Sequence, residues 1–105
     1  MRWLRGALIV SALVMAAAHP ATAAWQTGND LYTECPKKTG FTFGYIEGVI
    51  DALQTENGPF CMPDSVIAGQ LKDVVCDDLR QNPKDRDKSA AVIVYSALRR
   101  AWPCK

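Results

Sequence analysis

The chain has a single histidine, His19, and it lies among the first residues, just before Pro20. A chain trimmed beyond that point has none, which removes Ser-His and Cys-His nucleophile pairs and histidine metal ligation in one step. An excess of charge is missing too. Loss of Arg2 and Arg5 with a leader takes the basic residues from twelve to ten, against eleven acidic ones. A nucleic-acid partner calls for a clear basic excess, so none is expected. No stretch of useful length alternates polar and apolar residues with period two, and strands are therefore not expected. There is no internal repeat, low-complexity tract, domain linker or C-x-x-C pair.

What is present begins with two arginines in Met1–Arg5 and a continuous apolar run over Gly6–Ala18. Pro20 breaks the run, and small residues follow at Ala21 and Ala23. This layout predicts a Sec-type signal peptide over residues 1–23, with Ala24 the alternative cleavage point. The run is too short to span a bilayer comfortably, and nothing after Ala24 resembles a membrane span. The mature chain, residues 24–105, is expected to be soluble and exported and to form one domain with a small core.

The stretch Phe41–Leu53 organises the rest. Read as a helix, it places Phe43, Ile46, Val49, Ile50 and Leu53 on one apolar arc. Gly44, Gly48 and Ala52 form a second stripe of small residues, with Tyr45 between. Only Glu47, Asp51 and Gln54 are left for water, so the helix is expected to be covered on most sides. The two glycines cost about 1 kcal/mol each against alanine in a free helix. Their expected use is close approach of another backbone or a bulky ring.

Three further helices are predicted around it. Asn29 caps a short one from Asp30 to Cys35. Asp64 or Ser65 caps another that runs to Gln81, with Ile67, Ala68, Leu71, Val74, Val75 and Leu79 inward. Asp87 or Ser89 opens the last, to Trp102, with Ala91, Val94, Tyr95, Leu98, Ala101 and Trp102 buried. Val92 and Ile93 then fall on its polar side and suggest a contact surface. The expected fold is all-α: about four helices in a single small bundle.

In an exported chain this small, Cys35, Cys61, Cys76 and Cys104 read as two disulfides, and not as a zinc site. Cys61 precedes the third helix, while Cys76 lies roughly 15 Å along it at 1.5 Å per residue. Bridged Cα atoms must come within about 7 Å, which disfavours Cys61–Cys76. Cys61–Cys104 with Cys35–Cys76 is the expected pairing, and Cys35–Cys104 stays open.

Two chemical readings compete. Glu47 and Asp51 are carboxylates four residues apart, and paired carboxylates run glycoside hydrolysis. That chemistry needs groups flanking a cleft, however, and neighbours on one small helix form a solvated edge instead. No nucleophile–base pair or cofactor pattern accompanies them. Binding fits better: disulfides give a rigid frame, and the Asn82–Lys88 connection or the outer face of the last helix gives a projecting surface. Lys84, Asp85, Arg86, Val92 and Ile93 are the candidate contact residues. Charge reversal at Lys84, Asp85 and Arg86 is expected to weaken partner binding without lowering thermal stability.

The stretches FTFGYIEGVIDAL, FCMPDSVIAGQLKDVV, LRQNPKDR and AAVIVYSALRRAWPC, in this order, resemble the Rap/Tai family of type VI secretion immunity proteins. The similarity covers Leu31 to Cys104. Its most specific pieces are Gly44-Tyr45-Ile46 with Gly48 and Asp51, the Cys61-x-Pro63 turn, Gln70, Pro83 with Arg86, and Pro103-Cys104. The resemblance implies a small periplasmic all-helical protein, often a homodimer, whose relatives bind and block peptidoglycan-cleaving amidase toxins. It also supports Cys61–Cys104. The family often has a cysteine just ahead of Gly-Tyr-Ile, where this chain reads Phe41-Thr42-Phe43, which makes Cys76 the candidate replacement as partner of Cys35.

A second similarity, to periplasmic acid-stress chaperones of the HdeA type, supplies the alternative function. It rests on small helical size, a disulfide from an early to a later helix, and the character of Cys76 to Lys88. It implies a dimer that opens in acid and exposes apolar surface.

Overall fold

Among the described residues four helices carry the fold: α1 (Gly28–Glu34), α2 (Phe41–Leu53), α3 (Ala68–Gln81) and α4 (Ala90–Ala101), with a 3-10 turn at Pro83–Asp85. The computed structural model describes residues 25–54 and 58–105; the predicted leader, residues 1–23, lies outside the described residues. Among the described residues the only strand-like pairing is one bridge between Thr27 and Ser89, so the all-α expectation holds. Every pair of helices makes contact.

Thr27, and not Asn29, starts α1. Its hydroxyl accepts a hydrogen bond from the Asp30 amide at 3.2 Å, and the Asp30 carboxylate accepts one from the Thr27 amide at 2.9 Å. This reciprocal capping box satisfies donors that the first turn would leave orphaned. The Thr27 backbone and hydroxyl together hold the Asp30 carboxyl below its ordinary range.

The start of α3 also differs from expectation. Pro63 directs Asp64 and Ser65 into a turn closed by the Val66 amide on the Pro63 carbonyl at 3.1 Å. Ile67 is extended (φ −103°, ψ 159°) and caps a helix that begins at Ala68. Ile67 consequently leaves the predicted core face and is 68% exposed, whereas Leu71, Val75 and Leu79 are buried as expected.

On α2, Ile46 and Thr42 are buried, and Val49 and Ile50 pack partly against the core. The remainder overturns the idea of a helix covered on most sides. Phe41 and Leu53 are exposed, and a Cβ built at Gly44 or Gly48 would meet nothing within 4 Å. Among the described residues no backbone or ring approaches Gly44 or Gly48 closely. Thr42 is 1% exposed, and its hydroxyl has no hydrogen-bond partner among the described residues. A buried hydroxyl without a partner costs about 1–3 kcal/mol, and removing it without changing shape recovers part of that. Thr42→Val is therefore expected to raise the unfolding free energy by about 1 kcal/mol in urea titrations.

The buried arc of α4 is Ala90, Ile93, Val94, Ala97 and Leu98. Ile93, expected on the polar side, is 5% exposed, while Ala101 lies at the surface. The arc is turned because the N-terminus of α4 docks on the segment before α1. The Ala90 amide donates to the Gln26 carbonyl, and the Gly28 amide donates to the Lys88 carbonyl, both at 2.9 Å. A Cβ on Gly28 would run into Ile93 Cδ1 and the Arg86 backbone, so this glycine makes room for Ile93 to turn inward. Tyr45 packs partly buried against the core, and this burial pushes its phenol up.

Both expected disulfides are present, Cys35–Cys76 with Cα atoms 5.9 Å apart and Cys61–Cys104 at 5.0 Å, so Cys35–Cys104 is excluded. The first fastens α1 to the middle of α3. The second fastens the α2–α3 link to the tail, where the Cys61 amide also donates to the Trp102 carbonyl at 3.0 Å. Beside it, Phe60 is buried and tilts against Tyr95, with ring centroids 6.2 Å apart.

Candidate docking surface

The connection between α3 and α4 is built around Arg86. Its Nε donates to the Leu79 carbonyl at 2.6 Å and its Nη2 to the Arg80 carbonyl at 3.2 Å. The guanidinium lies 3.6 Å over the Tyr32 ring. It thus occupies carbonyls that the last turn of α3 leaves open, complements the negative helix end and stacks on α1. Arg86 is engaged within the fold, so its charge reversal is expected to lower stability and not to spare it. Ile93 is likewise engaged within the fold, because it is core.

Lys84 and Asp85 occupy the 3-10 turn that Pro83 starts. Lys84 is exposed, and Asp85 pairs with Lys88 at 3.0 Å. The Lys88 ammonium holds the Asp85 carboxyl below its ordinary range. Val92, 53% exposed, begins the outer face of α4 and is followed at helical spacing by Ser96 and Arg99. Of the five predicted contact residues, the structure leaves Lys84, Asp85 and Val92 facing outward.

The outer face of α4 runs into a groove of about 700 Å³ bounded by Gly58, Pro59, Tyr95, Ser96, Arg99, Arg100, Pro103 and Cys104. Arg99 Nη1 donates to Tyr95 Oη at 3.3 Å, and Arg100 forms an ion pair with Asp78 across to α3. A second groove, of about 980 Å³, lies between α1 and α3 beside Cys35–Cys76, with Tyr32, Val74, Asp73, Asp77 and Arg80 among its walls. Glu47 and Asp51 are exposed on α2 and line neither groove. Gly44, Gly48 and Asp51 share that open side of α2, with Tyr45 at its edge.

The first groove was missed in the sequence because its walls come from two stretches far apart in the chain, Gly58-Pro59 and the run from Tyr95 to Cys104. One signal was available: Arg99 and Arg100 are the only charged residues of α4, and Pro103-Cys104 follows them directly. Among the described residues no helix is long and apolar enough to cross a membrane, and no acidic, cysteine or histidine cluster is placed to hold a metal ion.

Searches of the curated proteins and of the solved structures gave no match. The family model described as Rap1a immunity proteins matches residues 27–104, from the Thr27 cap to the Cys104 staple. The four-helix, doubly cross-linked chain therefore belongs to the Rap1a immunity protein family.

Proposed function

We propose that the mature chain is a periplasmic immunity protein that binds and inhibits a peptidoglycan amidase effector of a type VI secretion system. The family match over residues 27–104 carries this reading, since an immunity protein implies a protein partner. Two disulfides suit an oxidising compartment, and the predicted signal peptide supplies the route there. In this proposal the chain acts by docking and has no turnover of its own. Its contact surface includes Lys84, Asp85 and Val92, which the cross-linked frame presents outward at little ordering cost. A homodimer belongs to the same proposal.

The mapping test is Lys84→Glu combined with Val92→Asp, followed by titration calorimetry against the effector. Losing a central apolar contact and reversing a rim charge is expected to weaken binding by roughly tenfold or more, with an unchanged melting temperature. Unchanged affinity would move the contact surface elsewhere. The acid-chaperone alternative is distinguished by client aggregation: that reading requires suppression at strongly acid pH and none at neutral pH.

A further inference from the structure

We propose that the groove at the C-terminal end of α4 receives an acidic segment of the partner protein. In this arrangement a partner carboxylate lies on Arg99 and an adjoining apolar side chain rests against Tyr95 and Pro103. The inference rests on the docking function proposed above and names the chemistry of one contact in it. None of the groove's lining residues is acidic. Arg100 is already neutralised by Asp78, whereas Arg99 makes its hydrogen bond among the described residues to a neutral phenol. That bond to Tyr95 Oη spends one of a guanidinium's five donors and holds the planar fork in the wall, the arrangement that suits a bidentate carboxylate.

Both arginines also complement the negative end of α4, but that role needs only their position in the last turn. It does not account for a groove with an aromatic wall. The floor is fixed by Cys61–Cys104 and by the Cys61 amide on the Trp102 carbonyl at 3.0 Å, so the site is rigid before binding. A basic segment would be repelled here, and a wholly apolar one would bury Arg99 without a partner. The α1–α3 groove is less selective, because its Asp77 is engaged by Arg80 and Gln81 and its walls carry both signs.

The test uses the oxidised mature protein labelled with nitrogen-15 and a blocked peptide of alternating glutamate and phenylalanine, with the glutamine counterpart as control. Saturable amide shifts are expected at Gly58, Tyr95, Ser96 and Arg99, weakening as salt is raised. Arg99→Glu should weaken binding about tenfold or more while the fold is kept, with a melting temperature only a few degrees lower because a helix-end cation is lost. Arg99→Gln, which adds no charge at that end, should weaken binding in the same direction. Shifts spread equally over Lys37, Lys38 and Lys84, equal response to the glutamine peptide, indifference to Arg99→Glu, or no saturable binding would each overturn the proposal. The effector does not enter this titration, so failure here leaves the immunity reading standing. Conversely, groove binding without inhibition of any amidase would refute that reading and leave the groove's chemistry intact.

Discussion

Changing Cys35 and Cys76 together to alanine is expected to lower the unfolding free energy by about 4 kcal/mol, and the Cys61/Cys104 pair should behave alike. The two bonds span 41 and 43 residues, and the chain-entropy estimate for closing a loop of that length gives roughly this value. Context makes the loss large. Among the described residues the core consists of eleven buried apolar side chains, of which Ala90 and Ala97 contribute little area. A domain of this length is stable by only about 4–12 kcal/mol at ordinary values per residue. One lost bond removes much of that margin, and loss of both should leave the chain unfolded at room temperature. Equilibrium unfolding in guanidinium, with far-ultraviolet circular dichroism as readout, checks both statements. A four-alanine variant with native helicity and a cooperative transition would show that packing suffices without the cross-links.

The second large effect concerns a glycine with no counterpart among the expected ones. Gly28→Ala is expected to cost about 3 kcal/mol, because the new methyl group meets Ile93 and lies 2.8 Å from the Arg86 carbonyl oxygen. Backbone cannot move aside as a flexible side chain does. Here it is held by the Asn29 amide on that same carbonyl at 2.7 Å and by the Arg86 side chain capping α3. The strain therefore spreads to the bridge between Thr27 and Ser89 and to the entry of α4. Gly44→Ala and Gly48→Ala make the sign test: both sit in open space inside a helix, so each should gain up to about 1 kcal/mol. Thermal melts of the three single variants would show the opposition directly. Equal effects at Gly28 and Gly44 would remove the close-packing account.

These glycines also show what the sequence could convey. Helical period placed α2 correctly, and the distance of Cys76 along the third helix from Cys61 before it pointed to the observed pairing. Both are local properties, or nearly so. The rotation of α4 is not local. Period alone could not choose between an arc centred on Ala91, Val94 and Leu98 and one drawn toward Ala90 and Ile93. The choice is made by Gln26 and Gly28, more than sixty residues earlier in the chain. The engagement of Arg86 within the fold was hidden for a related reason. In a run of mixed charges it resembles any solvated arginine, and only the end of α3 lying beside Tyr32 gives it carbonyls and a ring to occupy. The surface position of Lys84 and Val92 was legible because nothing distant claims them. The groove beside Cys104 was not, because the Gly58-Pro59 link and the C-terminal stretch must meet before it exists.

Family membership and a rigid frame with outward-facing residues are consistent with action by docking, as proposed. The most direct measurement is titration of the oxidised mature protein into a peptidoglycan amidase effector from the same cell, following heat and cell-wall cleavage together. The account expects saturable binding with loss of cleavage in step with occupancy. An effector that stays fully active at saturating protein, or cell-wall cleavage by this protein alone, would contradict it.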